Sequence, residues 1–130
     1  MEKKGTKGRT IKYSSIKNDE IMIVHSQEAK HYADCLEQID EVLKYETLKE
    51  LDNSLFSKVN PNSIRKDYFD INWLTDFVIY YTNGDMGVRE LVTQESLYKL
   101  ATIEKLELSR RYWELLKVKD WKIIIVKDVR

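Results

Sequence analysis

The sequence has few of the residues that cross-link or interrupt a chain: its 130 residues include one cysteine, one proline and four glycines. With a single cysteine, Cys35, no disulfide can form within the chain, so packing and hydrogen bonding must hold the fold together. Cys35 lies among helix-forming residues beside Tyr32 and Leu36. That position predicts a cysteine packed in the hydrophobic core.

Long apolar runs are also missing. The hydrophobic residues, 42% of the total, are spread over short runs, and none approaches the roughly 20 residues that cross a membrane. The charged residues 1 to 4 lead into no signal-peptide core. We therefore expect a soluble, cytoplasmic protein. Its length suits one compact domain that buries about two-thirds of its unfolded surface.

Several familiar chemical motifs do not occur in the sequence. No glycine-rich phosphate loop and no serine-elbow motif is found. His25 and His31 are six residues apart, without a cysteine or acidic partner in a recognised zinc spacing. A structural zinc site is therefore not expected.

The formal net charge is zero, which argues against a uniformly basic nucleic-acid-binding protein. The charges are nevertheless segregated along the chain. Residues 1 to 17 carry six basic residues and one acidic residue, residues 34 to 52 carry seven acidic and two basic, and residues 105 to 130 carry eight basic and four acidic. Two interpretations fit the basic ends: a solubilising tail with ordinary solvated faces, or contacts with phosphate groups.

The first half of the chain predicts a helix followed by a strand. Apolar residues recur every three or four positions over residues 27 to 38, with Ser26 available as N-cap, which is typical of an amphipathic helix. Residues 41 to 48 alternate as a half-buried strand does. The apolar run at residues 21 to 24 fits either a strand or a buried helix start. Residues 49 to 62 then indicate a connection, with a short apolar anchor at Leu55-Phe-Ser, and residues 64 to 73 an extended segment.

The second half predicts a hairpin, a helix and a last strand. Asn83-Gly84 between the β-rich residues 76 to 82 and 87 to 92 marks a hairpin turn. Residues 97 to 117 have helical spacing, and residues 121 to 126 are apolar enough for a central strand. The resulting order is helix, three strands, helix, strand. It predicts an α/β domain with a mixed central sheet flanked by helices, an order that α/β domains of other functions also have.

Two acidic residues fall where adjacent strands of the hairpin are predicted. Asp76 opens the first strand and Glu90 lies in the second, and because side chains alternate along a strand, Glu90 and Val92 share one face while Arg89 points to the other. Two carboxylates on neighbouring strands can hold Mg²⁺, the cation used in metal-dependent phosphodiester cleavage. The alternative is structural: Asp76 would simply start a strand and Glu90 would be a surface carboxylate in a cross-strand pair.

The order of residues near the end of the chain resembles a nuclease family. Residues 102 to 113, TIEKLELSRRYW, followed by residues 120 to 124, DWKII, resemble the closing helix and strand of TnsA, the end-cutting endonuclease subunit of heteromeric bacterial transposases. The resemblance extends more weakly to residues 75 to 77, 87 to 92 and 26 to 28, and so touches roughly residues 25 to 126. It implies a single restriction-endonuclease-like domain over residues 21 to 130, preceded by a basic arm over residues 1 to 20.

The resemblance also implies an active site. Asp76 and Glu90 match the metal carboxylates of the family, and Glu28 matches the acidic residue on its first helix. Val92 stands where the family has a lysine that orients the nucleophile and neutralises charge on the phosphate. The candidates to replace it are Lys105 and Lys99 on the following helix, and Arg89, which faces the wrong way if strand alternation is strict. We assign the role to Lys105. The implied cofactor is Mg²⁺ or Mn²⁺.

DNA is the implied partner, together with a transposase or another mobile-element protein. The sequence ends soon after the last predicted strand, where TnsA-like proteins commonly continue into a helical domain, so we expect the partner to be met through the surface of the catalytic domain itself. Of the aromatic residues in the matching segments, Tyr112, Trp113 and Trp121 are predicted to lie in the core. The predicted DNA contacts are basic side chains from both ends: Lys3, Lys4, Lys7, Arg9, Arg110 and Arg111.

The leading prediction is therefore a DNA endonuclease that cleaves or nicks mobile-element ends. Because Val92 replaces the lysine, a second prediction stays open. In it the nuclease fold has lost catalysis and serves as a DNA-binding or protein-interaction module. A third is an unrelated small α/β interaction module.

Overall fold

A computed structural model of the protein describes residues 10 to 127 and has an α/β architecture. A four-stranded sheet has the strand order β3-β4-β5-β6, and a separate two-stranded sheet contains β1 and β2. β3, β4 and β5 are antiparallel neighbours, whereas β6 runs parallel to β5. The α/β class and the mixed central sheet are as predicted.

The elements follow one another in the predicted order, with a hairpin added before the first helix. The strands are β1 (Ile11–Ser15), β2 (Glu20–Val24), β3 (Val42–Glu50), β4 (Leu74–Tyr81), β5 (Met86–Thr93) and β6 (Asp120–Val126), and the helices are α1 (Gln27–Gln38), α2 (Gln94–Leu97) and α3 (Leu100–Leu115). Residues 11 to 20, assigned to the basic arm by the sequence, thus form β1, its turn and the first residue of β2. None of the helices among residues 10 to 127 is long and apolar enough to span a membrane.

Helix α1 begins where the sequence predicts. The Ser26 side chain accepts a hydrogen bond from the Ala29 backbone N–H, which satisfies one donor of the first turn. Ala29, Ala33 and Leu36 are buried at steps of four and three. The prediction that Cys35 packs in the core is wrong: its side chain is exposed, because two residues beyond Ala33 the helix has turned to its outer face.

Strand β3 confirms the predicted strand, but its alternation is interrupted. The register against β4 shifts between Val42 and Lys44. Val42 and Tyr45 are consequently both buried, although they are three residues apart. A strict two-residue period would have placed them on opposite faces.

The hairpin of β4 and β5 is also confirmed. Gly84 in its turn has φ 95°, a conformation that residues with a side chain rarely adopt. The strands pair from Tyr80 opposite Met86 to Phe77 opposite Arg89.

The connection between β3 and β4 contains two short 3₁₀ helices. The first, Asn53–Lys58, buries Phe56 and confirms the predicted apolar anchor. The second, Lys66–Asp70, shows that the prediction of an extended segment was wrong at its centre. Tyr68 is buried there, and its carbonyl accepts a 2.7 Å hydrogen bond from Trp73 Nε1.

Strand β6 lies at the edge of the sheet, not at its centre as predicted. Within the described residues it pairs with β5 alone. Ile123 and Ile125 are therefore 37% and 55% exposed. A run of isoleucines indicates a strand but cannot say how many neighbours the strand has.

Hydrophobic cores cover both faces of the central sheet. On one face Val78 and Val88 pack with Leu108, Tyr112 and Trp113 of α3, which confirms that two of the three large aromatics are core residues. On the other face Phe77 and Ile79 pack with α1 and the β1–β2 hairpin. Successive residues of β4 thus serve opposite cores.

Candidate active site

The candidate site begins where β4 and β5 stop pairing. The last backbone pair joins Phe77 to Arg89; Asp76 is the residue before Phe77, and Glu90 is the residue after Arg89. There the Leu91 N–H donates to Asp76 Oδ2 at 2.7 Å, and the Asp76 N–H lies 3.4 Å from Glu90 Oε1. Side-chain carboxylates therefore take the place of backbone carbonyls between the two strands.

Glu90 is a buried carboxyl group with two hydroxyl donors. Its relative exposure is 8%. Its Oε2 accepts hydrogen bonds from Thr75 Oγ1 at 2.9 Å and from Ser109 Oγ at 2.6 Å. The hydroxyls are themselves bound by tryptophans, since Trp113 Nε1 donates to Thr75 Oγ1 at 3.0 Å and Trp121 Nε1 to Ser109 Oγ at 3.1 Å.

The pKa of Glu90 is raised to about 7. Burial is the larger cause, because it disfavours the charged form, and the negative charge of Asp76 acts in the same direction. The hydrogen bonds from Ser109, Thr75 and the Asp76 backbone oppose the shift. Glu90 therefore keeps its proton to a higher pH than an exposed glutamate does.

Asp76, Glu90 and Lys105 line one cavity of about 280 Å³ between the sheet and α3. Thr102 and Ser109 of α3 and Ser96 of α2 add hydroxyl groups to it. Most of the remaining wall is apolar, formed by Leu51, Trp73, Leu74, Leu91, Val92 and Leu106. A cation or a small group with hydrogen-bonding atoms could enter without displacing a helix or strand.

Lys105 brings a positive charge to the aromatic side of this cavity. Its Nζ lies 5.4 Å from the ring centroid of Tyr68 and 5.5 Å from that of Trp73. Both distances suit cation–π attraction. Lys105 reaches this position from one turn before Ser109 on α3.

The other proposed substitutes for the missing lysine lie elsewhere. Lys99 is exposed just before α3 and does not line the cavity. Arg89 points to the opposite face, as strand alternation predicts: it is bound to Asp120, Tyr32 and Tyr81. Val92 itself forms part of the cavity wall.

Glu28 is not brought together with the other two acids. It is half-buried on α1, which packs on the face of the sheet opposite to α3, and it is not among the residues that line the cavity. Over residues 10 to 127 no group of three or more histidine, cysteine, aspartate or glutamate side chains could hold a metal ion. The structure therefore gathers two carboxylates, not three.

The basic residues predicted to contact DNA have three different environments. Arg110 is exposed and pairs with Glu107 and Glu114. Arg111 is mostly buried, pairs with Glu107, and donates to the carbonyl oxygens of Asn60 and Asn62 at 2.6 and 2.9 Å. The others, Lys3, Lys4, Lys7 and Arg9, lie outside the described residues.

The hydroxyl groups around Glu90 were not predicted from the sequence. Thr102, Lys105 and Ser109 follow one another on α3 at steps of three and four, so they share one face of the helix. Polar residues on a helix face that also carries Leu106 could have indicated a polar site against the sheet. The Thr75 contact carried no such signal, because it joins β4 to β5 beyond their last backbone pair.

Comparison with known families and proteins adds no assignment. No family model matches the chain, and no curated protein matches it.

Proposed function

We propose that this protein is a metal-dependent DNA endonuclease with a restriction-endonuclease-like core, similar to the catalytic domain of TnsA and acting at mobile-element ends. The observation that carries the proposal is the position of Asp76, Glu90 and Lys105 around one cavity. The chain order of α1, β3, β4, β5, α3 and β6 supports it, since three antiparallel strands followed by a helix and a parallel strand are expected of such a core.

The donor set suits a hard divalent cation. Asp76 and Glu90 would hold Mg²⁺ or Mn²⁺, and Mg²⁺ sites in proteins use one or two carboxylates and keep several waters. The raised pKa of Glu90 is consistent with this assignment, because a bound cation would favour the ionised carboxylate that burial and Asp76 disfavour. When bound, the cation would activate a water molecule and stabilise the charge on the phosphate.

Lys105 would supply the positive charge that Val92 cannot. Its ammonium group is kept at the cavity by Tyr68 and Trp73, where it would orient the scissile phosphate and stabilise charge that develops on it. Thr75 and Ser109 hold one oxygen of Glu90 by hydrogen bonds. The apolar wall restricts water around these groups, which strengthens their electrostatic effect.

DNA would be bound mainly through its phosphates. Arg110 is the better of the two α3 arginines for this role, because it is exposed and its present partners lie on its own helix. Arg111 is committed to two backbone carbonyls. A transposase or another mobile-element protein would provide the choice of DNA site.

The second candidate is a nuclease fold without catalysis that binds DNA or a protein partner. Val92 in the cavity wall favours it, because an aliphatic side chain neither binds phosphate nor offsets the acids. The two hydroxyl bonds to Glu90 Oε2 also fit a purely structural carboxyl group.

Nicking of supercoiled plasmid with Mg²⁺ or Mn²⁺ separates the candidates. We expect slow nicking by the wild type, loss of nicking in Asp76→Ala, and a decrease on the order of 10²-fold in Lys105→Ala. Lys99→Ala is the matched control, because it removes a lysine near the same helix that does not line the cavity, and its rate should stay within about twofold of wild type, the scatter of ordinary surface changes.

The possible results have distinct meanings. Cutting that survives Asp76→Ala excludes this active site. Absence of cutting together with salt-sensitive DNA binding supports the DNA-binding candidate. If the protein neither cuts nor binds DNA, the remaining candidate is the protein-interaction module.

A further inference from the structure

The two oxygens of the Glu90 carboxyl group are not equivalent. Oε2 accepts two short hydrogen bonds, 2.6 Å from Ser109 Oγ and 2.9 Å from Thr75 Oγ1. Oε1 faces the Asp76 N–H at the longer distance of 3.4 Å. Oε2 is thus held tightly against the protein, and Oε1 lies next to Asp76.

The directions of both hydroxyl protons follow from their tryptophan partners. An indole N–H can only donate, so Thr75 Oγ1 accepts from Trp113 and Ser109 Oγ accepts from Trp121. Each hydroxyl has a single proton, and the remaining close polar neighbour of each is Glu90 Oε2. Both protons therefore point at the same carboxylate oxygen.

The geometry points to Thr75 and Ser109 as positioning residues that hold Glu90 by Oε2 and leave Oε1, beside Asp76, to bind the cation. This inference rests on the proposed metal-dependent function. It adds two residues to the site, Thr75 from β4 and Ser109 from α3. Partners that orient a metal ligand commonly change metal affinity by about 10- to 100-fold when they are removed.

Substitutions at Thr75 give the sharpest test, since valine keeps its shape and serine keeps its hydroxyl. Mn²⁺ affinity is measured by titration calorimetry on the full chain. Thr75→Val should bind Mn²⁺ about tenfold more weakly or worse, whereas Thr75→Ser should stay within about twofold of wild type, because it retains the donor to Oε2. If Thr75 acted only by filling space, serine would be the more harmful substitution, because it removes a buried methyl group.

The α3 side is tested by Ser109→Ala and Trp121→Phe. Ser109→Ala removes the shorter donor. Trp121→Phe keeps an aromatic ring and the serine but removes the indole N–H, which frees the hydroxyl to turn away from Glu90. Both should weaken Mn²⁺ binding, Ser109→Ala by about tenfold. Ser96→Ala is the control, since its hydroxyl lines the same cavity but bonds to Thr93, and its Mn²⁺ affinity should equal that of wild type.

The outcomes distinguish this inference from the proposed function. Suppose that wild type binds Mn²⁺, Asp76→Ala does not, and Thr75→Val and Ser109→Ala bind as wild type does. Then the positioning role is wrong and the metal site stands. Wild type that neither binds Mn²⁺ nor nicks DNA overturns both. If Thr75→Val or Ser109→Ala unfolds, Trp121→Phe decides, because Trp121 is only partly buried at the edge of the sheet.

Discussion

At the scale of single residues, Glu90 is the position where burial and charge act together. The pKa of its carboxyl group is raised, while those of Glu107 and Asp120 are lowered to about 2 by arginine partners. Glu90 has hydroxyl donors instead, which stabilise a carboxylate less than a cation does. A buried acid without a cationic partner of this kind is more typical of a functional site than of a purely structural pair.

The stability of the metal-free protein should fall as pH rises through the range in which Glu90 ionises. The pKa of Glu90 is about 7 in the folded state and 4.5 ordinarily. Between these two pH values the folded protein therefore keeps a proton on Glu90 that the unfolded chain has lost. The free energy of unfolding therefore decreases over that range. Glu90→Gln should abolish most of this decrease, as measured by urea unfolding at pH 5 and pH 8 with a chelator present. An equal decrease in wild type and Glu90→Gln would contradict the assignment.

Val92→Lys should raise metal-dependent nicking. Val92 lines the cavity, so a lysine there can extend into the cavity instead of into packed core, where an ammonium group would be costly or lose its proton. The gain should be on the order of 2–4 kcal/mol of transition-state stabilisation, by analogy with removing one preorganised donor. Initial rates of plasmid nicking measure it. If wild type nicks and a well-folded Val92→Lys nicks no faster, the lack of a positive charge at position 92 does not limit the reaction.

At the scale of elements, helix α3 joins the sheet to the connection between β3 and β4. Tyr112 OH accepts a hydrogen bond from the Asp52 backbone N–H at 2.9 Å, and the buried Glu104 accepts from the Arg65 N–H at 2.8 Å. Arg111 continues the contact through Asn60 and Asn62. These bonds join segments 39 to 60 residues apart in sequence. Helix α3 therefore positions both the cavity and the connection that contributes Leu51 and Trp73 to its wall.

Arg111→Ala should therefore destabilise the protein more than Arg110→Ala does. Arg111 satisfies two backbone carbonyls of another segment, so its loss should cost about 1–3 kcal/mol. Arg110 is exposed and makes pairs only within α3, so its loss should cost no more than about 0.5 kcal/mol. Urea unfolding of the two variants measures the difference. Equal effects would mean that the contacts to Asn60 and Asn62 contribute nothing.

At the scale of the whole molecule, two cores share one sheet, and the cavity opens where β4 and β5 separate. The face toward α3 carries Asp76, Glu90 and Lys105. The face toward α1 carries Arg89, which is held by an ion pair with Asp120 at 3.0 Å and by Tyr32 and Tyr81. Arg89, although next to Glu90 in sequence, thus places its positive charge on the opposite side of the sheet.

DNA affinity, if the basic ends provide it, should fall steeply with salt and depend little on sequence. Removing residues 1 to 9 deletes Lys3, Lys4, Lys7 and Arg9 without entering β1, which begins at Ile11. This deletion and Arg110→Ala should each weaken binding and lower the salt slope, the point substitution by about one unit. Fluorescence anisotropy over a salt series measures both. Unchanged affinity in the two variants would exclude the basic residues as the DNA contact.

The local elements of this protein were determined by its sequence. The Ser26 cap, the helical spacing of residues 27 to 38 and the Asn83-Gly84 turn each depend on neighbours within a few residues, and the structure has each of them. The alternation that places Arg89 away from Glu90 is equally local. Such features can be predicted because a helix turn or a hairpin specifies its own backbone.

Only the tertiary structure decided which side chains meet. Cys35 faces outward, β6 is an edge strand, and Glu28 lies away from Asp76 and Glu90. The two hydroxyls on Glu90 come from Thr75 and from Ser109, which are 15 residues before it and 19 after it. Their meeting depends on how β4 lies beside β5 and on how α3 packs across the sheet, and that packing depends on the whole core. No short stretch of sequence contains this information, because burial and charge around Glu90 are properties of the assembled fold.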